Sequence, residues 1–262
     1  MSSVTTRVNQ VRQPVGGYLP VDKFERIVFE DDLSLKPKEN ILPTIIGLVV
    51  DYMTRYISGD NKEEAFKISL KGAKIAILNG KTEQAVLAVK YLNTIKGLDN
   101  ESIIAASNLC RFDTWYRATK YAKENGIGDE LFPDTETIEN IRILINRSLN
   151  FFKKYGPIKT YGFTFERLGY TDIVTSGDGD FLTEDTLWDF KVSKYEPDIK
   201  NTLQLLMYQV MGKHSEKEEF LNICNIGLFN PRLNIAYKIN MDSISDEIIN
   251  EIETKIIGYK EN

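Results

Sequence analysis

The sequence predicts an α/β protein: a mixed central β-sheet flanked by helices, with a helical N-terminal region. Three observations carry this prediction. Between residues 41 and 155 apolar side chains recur at three- and four-residue spacing, the period of an α-helix. After residue 157 short segments rich in aromatic and β-branched residues take over, the composition of strands. One helical pattern then interrupts those strands and another ends the chain, giving a β-β-β-α-β-β-α order. At 262 residues the chain suits one or two domains and can bury a sizeable core.

Residues 1–40 contain Pro14, Gly16, Gly17, Pro20 and Pro37 and read as an irregular arm, with one short strand at Ile27–Glu30. Residues 41–156 read as the helical region. Ile45, Val49, Tyr52, Met53 and Tyr56 mark one helix, and Ala65, Ile68, Ala73 and Ala76 a second. Thr82–Ile95 and Glu101–Ala122 follow. Asp134 is placed to cap a helix running through Leu149, with Glu136 in its first turn. Gly156-Pro157 must end it.

Residues 157–262 read as the sheet-bearing core. Strand-like segments are Ile158–Gly169, Gly169–Ser176 and Asp185–Ser193, with Ser176–Asp180 as a hairpin turn through Asp178-Gly179. Ile199–Gly212 is helical. Strands at Leu221–Phe229 and Leu233–Ile239 flank the turn Asn230-Pro231-Arg232. Ile244, Ile248, Ile249, Ile252, Ile256 and Ile257 form the apolar stripe of a closing amphipathic helix.

Composition narrows the function. With 33 basic and 38 acidic side chains the net charge is −5, which excludes a basic nucleic-acid coat. Phosphate binding would then need a local patch or bound cations. One histidine, His214, excludes any site built from two. It lies in a charged turn and is expected to be solvated. Two distant cysteines exclude a four-cysteine cluster and suit a reducing compartment. The longest apolar run, residues 41–50, is half a membrane span, and the first residues have no secretory pattern. The expectation is a soluble cytoplasmic protein without a membrane partner.

On an Asp185–Ser193 strand, Leu187, Asp189, Lys191 and Ser193 share one face while Trp188, Phe190 and Val192 share the other. If Gly169–Ser176 pairs with it, Asp172 and Asp189 converge. Two converging carboxylates repel unless a divalent cation joins them, and hard oxygen ligands favour magnesium or manganese. Glu166, one strand earlier, could reach the same place. On the following helix Gln204 and Tyr208, four residues apart, lie next to each other beside the stripe of Leu203, Leu206, Met207 and Val210.

Gly169-Tyr-Thr-Asp172, Asp189-Phe-Lys191 and Gln204-Leu-Leu-Met-Tyr208 stand in the order G-x-x-D, D-x-K, Q-x-x-x-Y. Over residues 160–212 the chain thereby resembles the PD-(D/E)XK nuclease superfamily in its RecB-like branch. The resemblance implies a restriction-endonuclease-like core and a Mg2+- or Mn2+-dependent nuclease hydrolysing DNA, exonuclease-like, in phage or mobile-element recombination, repair or defence. It implies metal binding by Asp172 and Asp189, catalysis by Lys191, and support of the site or nucleic-acid contact by Gln204 and Tyr208. Relatives often place a histidine in an earlier G-x-x-x-H pattern. Here Gly47-Leu-Val-Val-Asp51 puts Asp51 there, a stand-in acidic ligand or a polar residue on an amphipathic helix. No helicase signature is present, so a motor, like a homo-oligomeric or recombination partner, would be a separate chain. The competing reading is a nuclease-fold module that binds nucleic acid or inhibits a protein without cleaving. A structural phage protein carrying the motifs by accident is a third.

Overall fold

The protein's computed structural model describes residues 2–260. Its strands are β1 (Ser2–Ser3), β2 (Glu25–Val28), β3 (Thr160–Thr164), β4 (Val174–Ser176), β5 (Asp178–Leu182), β6 (Thr186–Phe190), β7 (Asn225–Asn230) and β8 (Ile235–Asn240). Its α-helices are α1 (Val4–Gln10), α2 (Pro43–Ile57), α3 (Lys62–Ala65), α4 (Lys67–Leu78), α5 (Thr82–Thr94), α6 (Asn100–Cys110), α7 (Asp113–Arg117), α8 (Thr119–Asn125), α9 (Thr135–Tyr155), α10 (Ile199–His214) and α11 (Asp246–Glu251). The chain divides into two compact units: residues up to Asp31 with those from Phe151 onward, and residues Asp32–Asn150 between them.

The first unit is built on a mixed six-stranded sheet of order β2-β8-β7-β6-β5-β3. Only β6 and β7 run parallel, and α10 makes the crossover that such a pair requires. Both sheet faces are covered. On one, Leu182, Leu187, Ile226 and Leu228 bury against Leu203, Leu206 and Val210 of α10. On the other, Phe181, Trp188 and Phe229 pack around Phe151, the residue at which α9 enters this unit. The Phe151 and Phe229 rings stack at 4.1 Å, and Trp188 meets Phe151 edge-on at 4.8 Å. The alternation read in Asp185–Ser193 is therefore what sorts β6 between a helix-facing apolar and polar side and an aromatic side.

The N-terminal arm is more regular than expected. The Ser3 hydroxyl caps α1, and Val4 and Val8, one turn apart, are buried against the α10 side of the sheet. β2 adds the sheet's edge strand by pairing with β8. β1 and β4 form a separate two-stranded parallel ladder. At the other end the isoleucine stripe starts as α11 and continues through Ile252–Ile257 as π-helix. His214 is not simply solvated: its ring stacks on Tyr259 at 3.7 Å and its Nε2 lies 3.2 Å from a Glu253 carboxylate oxygen.

The second unit is all helical. Asp134 caps α9 by accepting from the Thr137 N–H at 2.8 Å. The stretch Glu101–Ala122 is three helices rather than one, broken at Arg111–Phe112 and at Ala118. α4 and α7 lie so close that Gly72 faces the Phe112 carbonyl with no room for a side chain. Arg111, Trp115 and Arg117 are structural here. Arg111 binds Asn108 and the Gly128 carbonyl, the buried Trp115 indole donates to Gln84, and Arg117 pairs with Asp113.

Asp113 is the buried polar centre of this unit. It accepts the Tyr52 hydroxyl at 2.7 Å and the Ser69 hydroxyl at 2.5 Å. Burial pushes its carboxyl pKa upward despite these donors. The folded protein therefore binds this proton at a pH where the unfolded chain has released it. Its contribution to stability is greatest below the ordinary carboxylate range and fades as pH rises through the raised value. Asp113→Asn is expected to remove that trend, so denaturant midpoints of wild type minus variant should grow as pH falls from neutral toward about 4. A difference independent of pH would contradict it.

Candidate functional site

β6 carries the site. Asp189 is buried on it, and Lys191 follows where the strand ends, its backbone N–H bonded to the Phe229 carbonyl at 3.0 Å. The two side chains share the α10 face and form an ion pair of 2.9 Å through Asp189 Oδ2. That oxygen is buried and accepts no aligned hydrogen bond. Lys191 Nζ donates to Gln204 Oε1 at 3.1 Å, and Gln204 Nε2 donates to the Tyr208 hydroxyl at 2.7 Å. The order of this relay is forced. An ammonium only donates, so the glutamine must turn its carbonyl toward Lys191 and its amide toward Tyr208. The Asp189, Lys191, Gln204 and Tyr208 side chains thus form one continuous chain.

The electrostatics follow from the burial. Desolvation alone would push the Lys191 ammonium down, but Asp189, Asp180 and Asp198 more than offset it, so its pKa is raised. Lys191 is a fixed cation. Burial first, then the Asp189 and Asp180 carboxylates, hold Tyr208 well above the ordinary phenol range. It is a neutral hydroxyl. Tyr208 is also more buried than its place beside the apolar stripe suggested: its ring packs with Phe163 and Phe165 in the core.

The second carboxylate is Asp180, not Asp172. The strand that pairs with β6 is β5, with Phe181 opposite Trp188 and Leu182 opposite Leu187. Continuing that antiparallel register puts Asp180 opposite Asp189, on the same sheet face. Asp180 Oδ2 also accepts the Phe190 backbone N–H at 2.6 Å, which clamps the two strands at the site. Asp172 sits instead at an exposed bend before β4, within a tight turn closed by the Thr171 N–H and the Val174 carbonyl. β4 pairs with β1, not with β6.

Ser176–Asp180 is not a hairpin turn. Asp178 to Leu182 is strand, and the turn lies at Thr183–Thr186, closed by Thr183 N–H to Thr186 carbonyl at 3.0 Å. The sequence did carry a signal. Gly177-Asp178-Gly179-Asp180 is a second G-x-x-D, nearer to Asp189 than the first.

The remaining expected ligands have partners of their own. Glu166 lies beyond the end of β3, bonded to the Thr164 hydroxyl and 3.7 Å from Lys217. Asp51 belongs to α2 of the helical unit, where Arg55 grips both its oxygens at 2.8 and 2.9 Å. Among the described residues, no three His, Cys, Asp or Glu side chains come together as a metal cage. What Asp180 and Asp189 offer is a two-carboxylate donor set on facing strands. That fits magnesium, which takes one or two carboxylates and fills its shell with water and phosphate oxygens.

The relay can be tested apart from the carboxylates. Gln204→Ala removes the acceptor that aims Lys191, and Tyr208→Phe removes the group that orients Gln204. If the site cleaves DNA as the motif order implies, cleavage per folded molecule should drop by roughly 10–100-fold for Gln204→Ala, as for other supporting groups, and by less for Tyr208→Phe, whose ring packing survives. Initial rates beside thermal melts check this. Unchanged rates with lowered melting would make the pair purely structural.

Comparison with protein-family models, with curated proteins and with solved structures finds no match to this chain. No helix among the described residues is long and apolar enough to cross a membrane.

Proposed function

We propose that the protein is a divalent-metal-dependent nuclease that hydrolyses DNA phosphodiester bonds, exonuclease-like, with Asp180, Asp189 and Lys191 at its centre. The observation that carries the reading is the meeting of separate sequence elements at one place. Asp189, a half-buried lysine two residues beyond it, and a Gln–Tyr pair on the next helix form one network, with the Asp180 carboxylate on the facing strand. The order D, D-x-K, Q-x-x-x-Y is that of the PD-(D/E)XK superfamily, with Asp180 in the place that the sequence alone gave to Asp172.

Asp180 and Asp189 are the residues that would hold Mg2+ or Mn2+. When bound, the cation supplies Lewis-acid polarisation of a phosphoryl oxygen and a more acidic water. The chain's own residues do the rest. Lys191, permanently charged and aimed by Gln204, offsets the negative charge that develops on the phosphate as the phosphodiester is attacked in line. Tyr208 keeps Gln204 in the orientation that leaves the lysine directed at the carboxylates. No histidine base is required, in keeping with the engagement of His214 by Tyr259 and Glu253.

The test is purified protein with linear and circular DNA in Mg2+, Mn2+ or EDTA. Linear DNA should be degraded from its ends with either cation, circular DNA should be spared, and EDTA should abolish the activity. Binding of DNA without cleavage under every condition would instead favour a non-cleaving nucleic-acid-binding module.

A further inference from the structure

We propose that Tyr195 is a stacking platform for an unpaired nucleobase beside the candidate site, so that the strand the site takes is single-stranded DNA. This rests on the nuclease reading and adds the form of the substrate. The segment after Lys191 is irregular, yet it is pinned by the strand next door. Two consecutive residues of β7 hold it: the Phe229 carbonyl takes the Lys191 N–H at 3.0 Å, and Asn230 Nδ2 donates to the Ser193 carbonyl at 2.8 Å and the Tyr195 carbonyl at 3.3 Å. The Tyr195 N–H in turn reaches the Ser193 hydroxyl at 3.0 Å. Asn230 is itself buried and fixed, its Oδ1 accepting the Arg232 N–H at 2.9 Å. The backbone of Tyr195 is thereby tied to that of Lys191 through adjacent residues of one strand.

Its side chain is the opposite of buried. Tyr195 is 81% exposed, and among the described residues its ring stacks on no other ring. An aromatic ring held over solvent on a fixed backbone costs little ordering when a flat partner arrives. The residues flanking it, Lys194 and Glu196, are exposed and charged, and exposed apolar side chains lie further along the chain. Ile199, the first residue of α10, is partly exposed and packs on Gly17, and Gln13 Nε2 bonds the Ile199 carbonyl at 2.9 Å. That fastens the turn Pro14–Gly17, whose Val15 is fully exposed. The neighbouring Glu196 carboxylate lies 3.5 Å from Arg26, which tempers a charge that would repel phosphate. Exposed base faces are what an exposed aromatic ring recognises, and a duplex keeps its base faces stacked inside.

The experiment is fluorescence anisotropy of the full chain in EDTA, where no cleavage occurs. The probes are a labelled oligothymidylate, an abasic strand of equal length, and the blunt duplex of the oligothymidylate with oligoadenylate. Tyr195→Ala should weaken oligothymidylate binding by roughly 5–100-fold, the range of a lost base stack, while Tyr195→Phe binds like wild type. Affinity for the abasic strand and the duplex should be the same in all three proteins. Equal oligothymidylate affinity of wild type and Tyr195→Ala overturns the proposal, as does an equal loss on abasic and duplex probes. Cleavage in Mg2+ separates the two readings. If wild type degrades DNA and Tyr195→Ala is unchanged in binding, only the stacking role falls. If neither protein binds or cuts DNA, both readings fall.

Discussion

Asp180→Asn and Asp189→Asn should each lower metal-dependent cleavage by more than the roughly 10–100-fold that changes outside a metal's direct ligands cost. Asp172→Asn should leave the rate unchanged. The amide keeps the size of the carboxylate, and its carbonyl can still accept the Phe190 N–H that ties β5 to β6. What is lost is one of the two charges facing a shared point. At Asp189 the Lys191 ammonium is also left without its 2.9 Å counter-ion. Initial rates on linear DNA in Mg2+, with melting temperatures to confirm folding, decide the matter. A dead Asp172→Asn beside an active Asp180→Asn would overturn the strand pairing as the basis of the site.

Gly72→Ala is the second large effect expected, this one on stability. The added Cβ would stand 1.9 Å from the Phe112 carbonyl oxygen and 2.8 Å from its carbon. A backbone carbonyl cannot swing away as a side-chain tip can. Helix propensity favours alanine by only about 0.5–1 kcal/mol. Forcing α4 off α7 should cost about 3 kcal/mol or more, at the upper end of overpacking penalties. Urea titration followed by helical circular dichroism measures it. A variant as stable as wild type would mean that the two helices are not in contact at this glycine.

How much of this could be read from the residues depends on whether the information is local. Strand β6 was legible because its two faces differ so sharply: Trp188 and Phe190 on one, Asp189 and Lys191 on the other. The Gln204–Tyr208 pair was legible because helical spacing alone brings it together, although spacing does not reveal that Tyr208 is core. The partner of Asp189 was not legible. Convergence of two carboxylates is a property of register, and Asp178-Gly179 is so strong a turn dipeptide that it hid a strand. In β5, Gly179 is needed for another reason. It sits opposite Phe163, and an added Cβ would lie 2.0 Å from that ring. The N-terminal edge strand was placed near Ile27, but nothing local announces its partner at the far end of the sequence.

That distant partnership bears on how the chain is made. Val28 pairs with Ile235, so β2 leaves the ribosome about 200 residues ahead of the strand that receives it. At about 5–20 residues per second the nascent edge waits on the order of ten to forty seconds, while the whole of Asp32–Asn150 is synthesised and able to fold first. An orphan strand during that interval invites pairing with other nascent chains. Its sequence, Glu25-Arg26-Ile27-Val28, begins with two charges of opposite sign, the kind of guard that discourages such encounters. The β2–β8 edge can therefore form only after residues near Ile235 have been made. Truncating the first thirty residues should consequently leave β8 as an open, aggregation-prone edge and also bare the α10-side core that Val4, Val8, Leu19 and Phe24 cover.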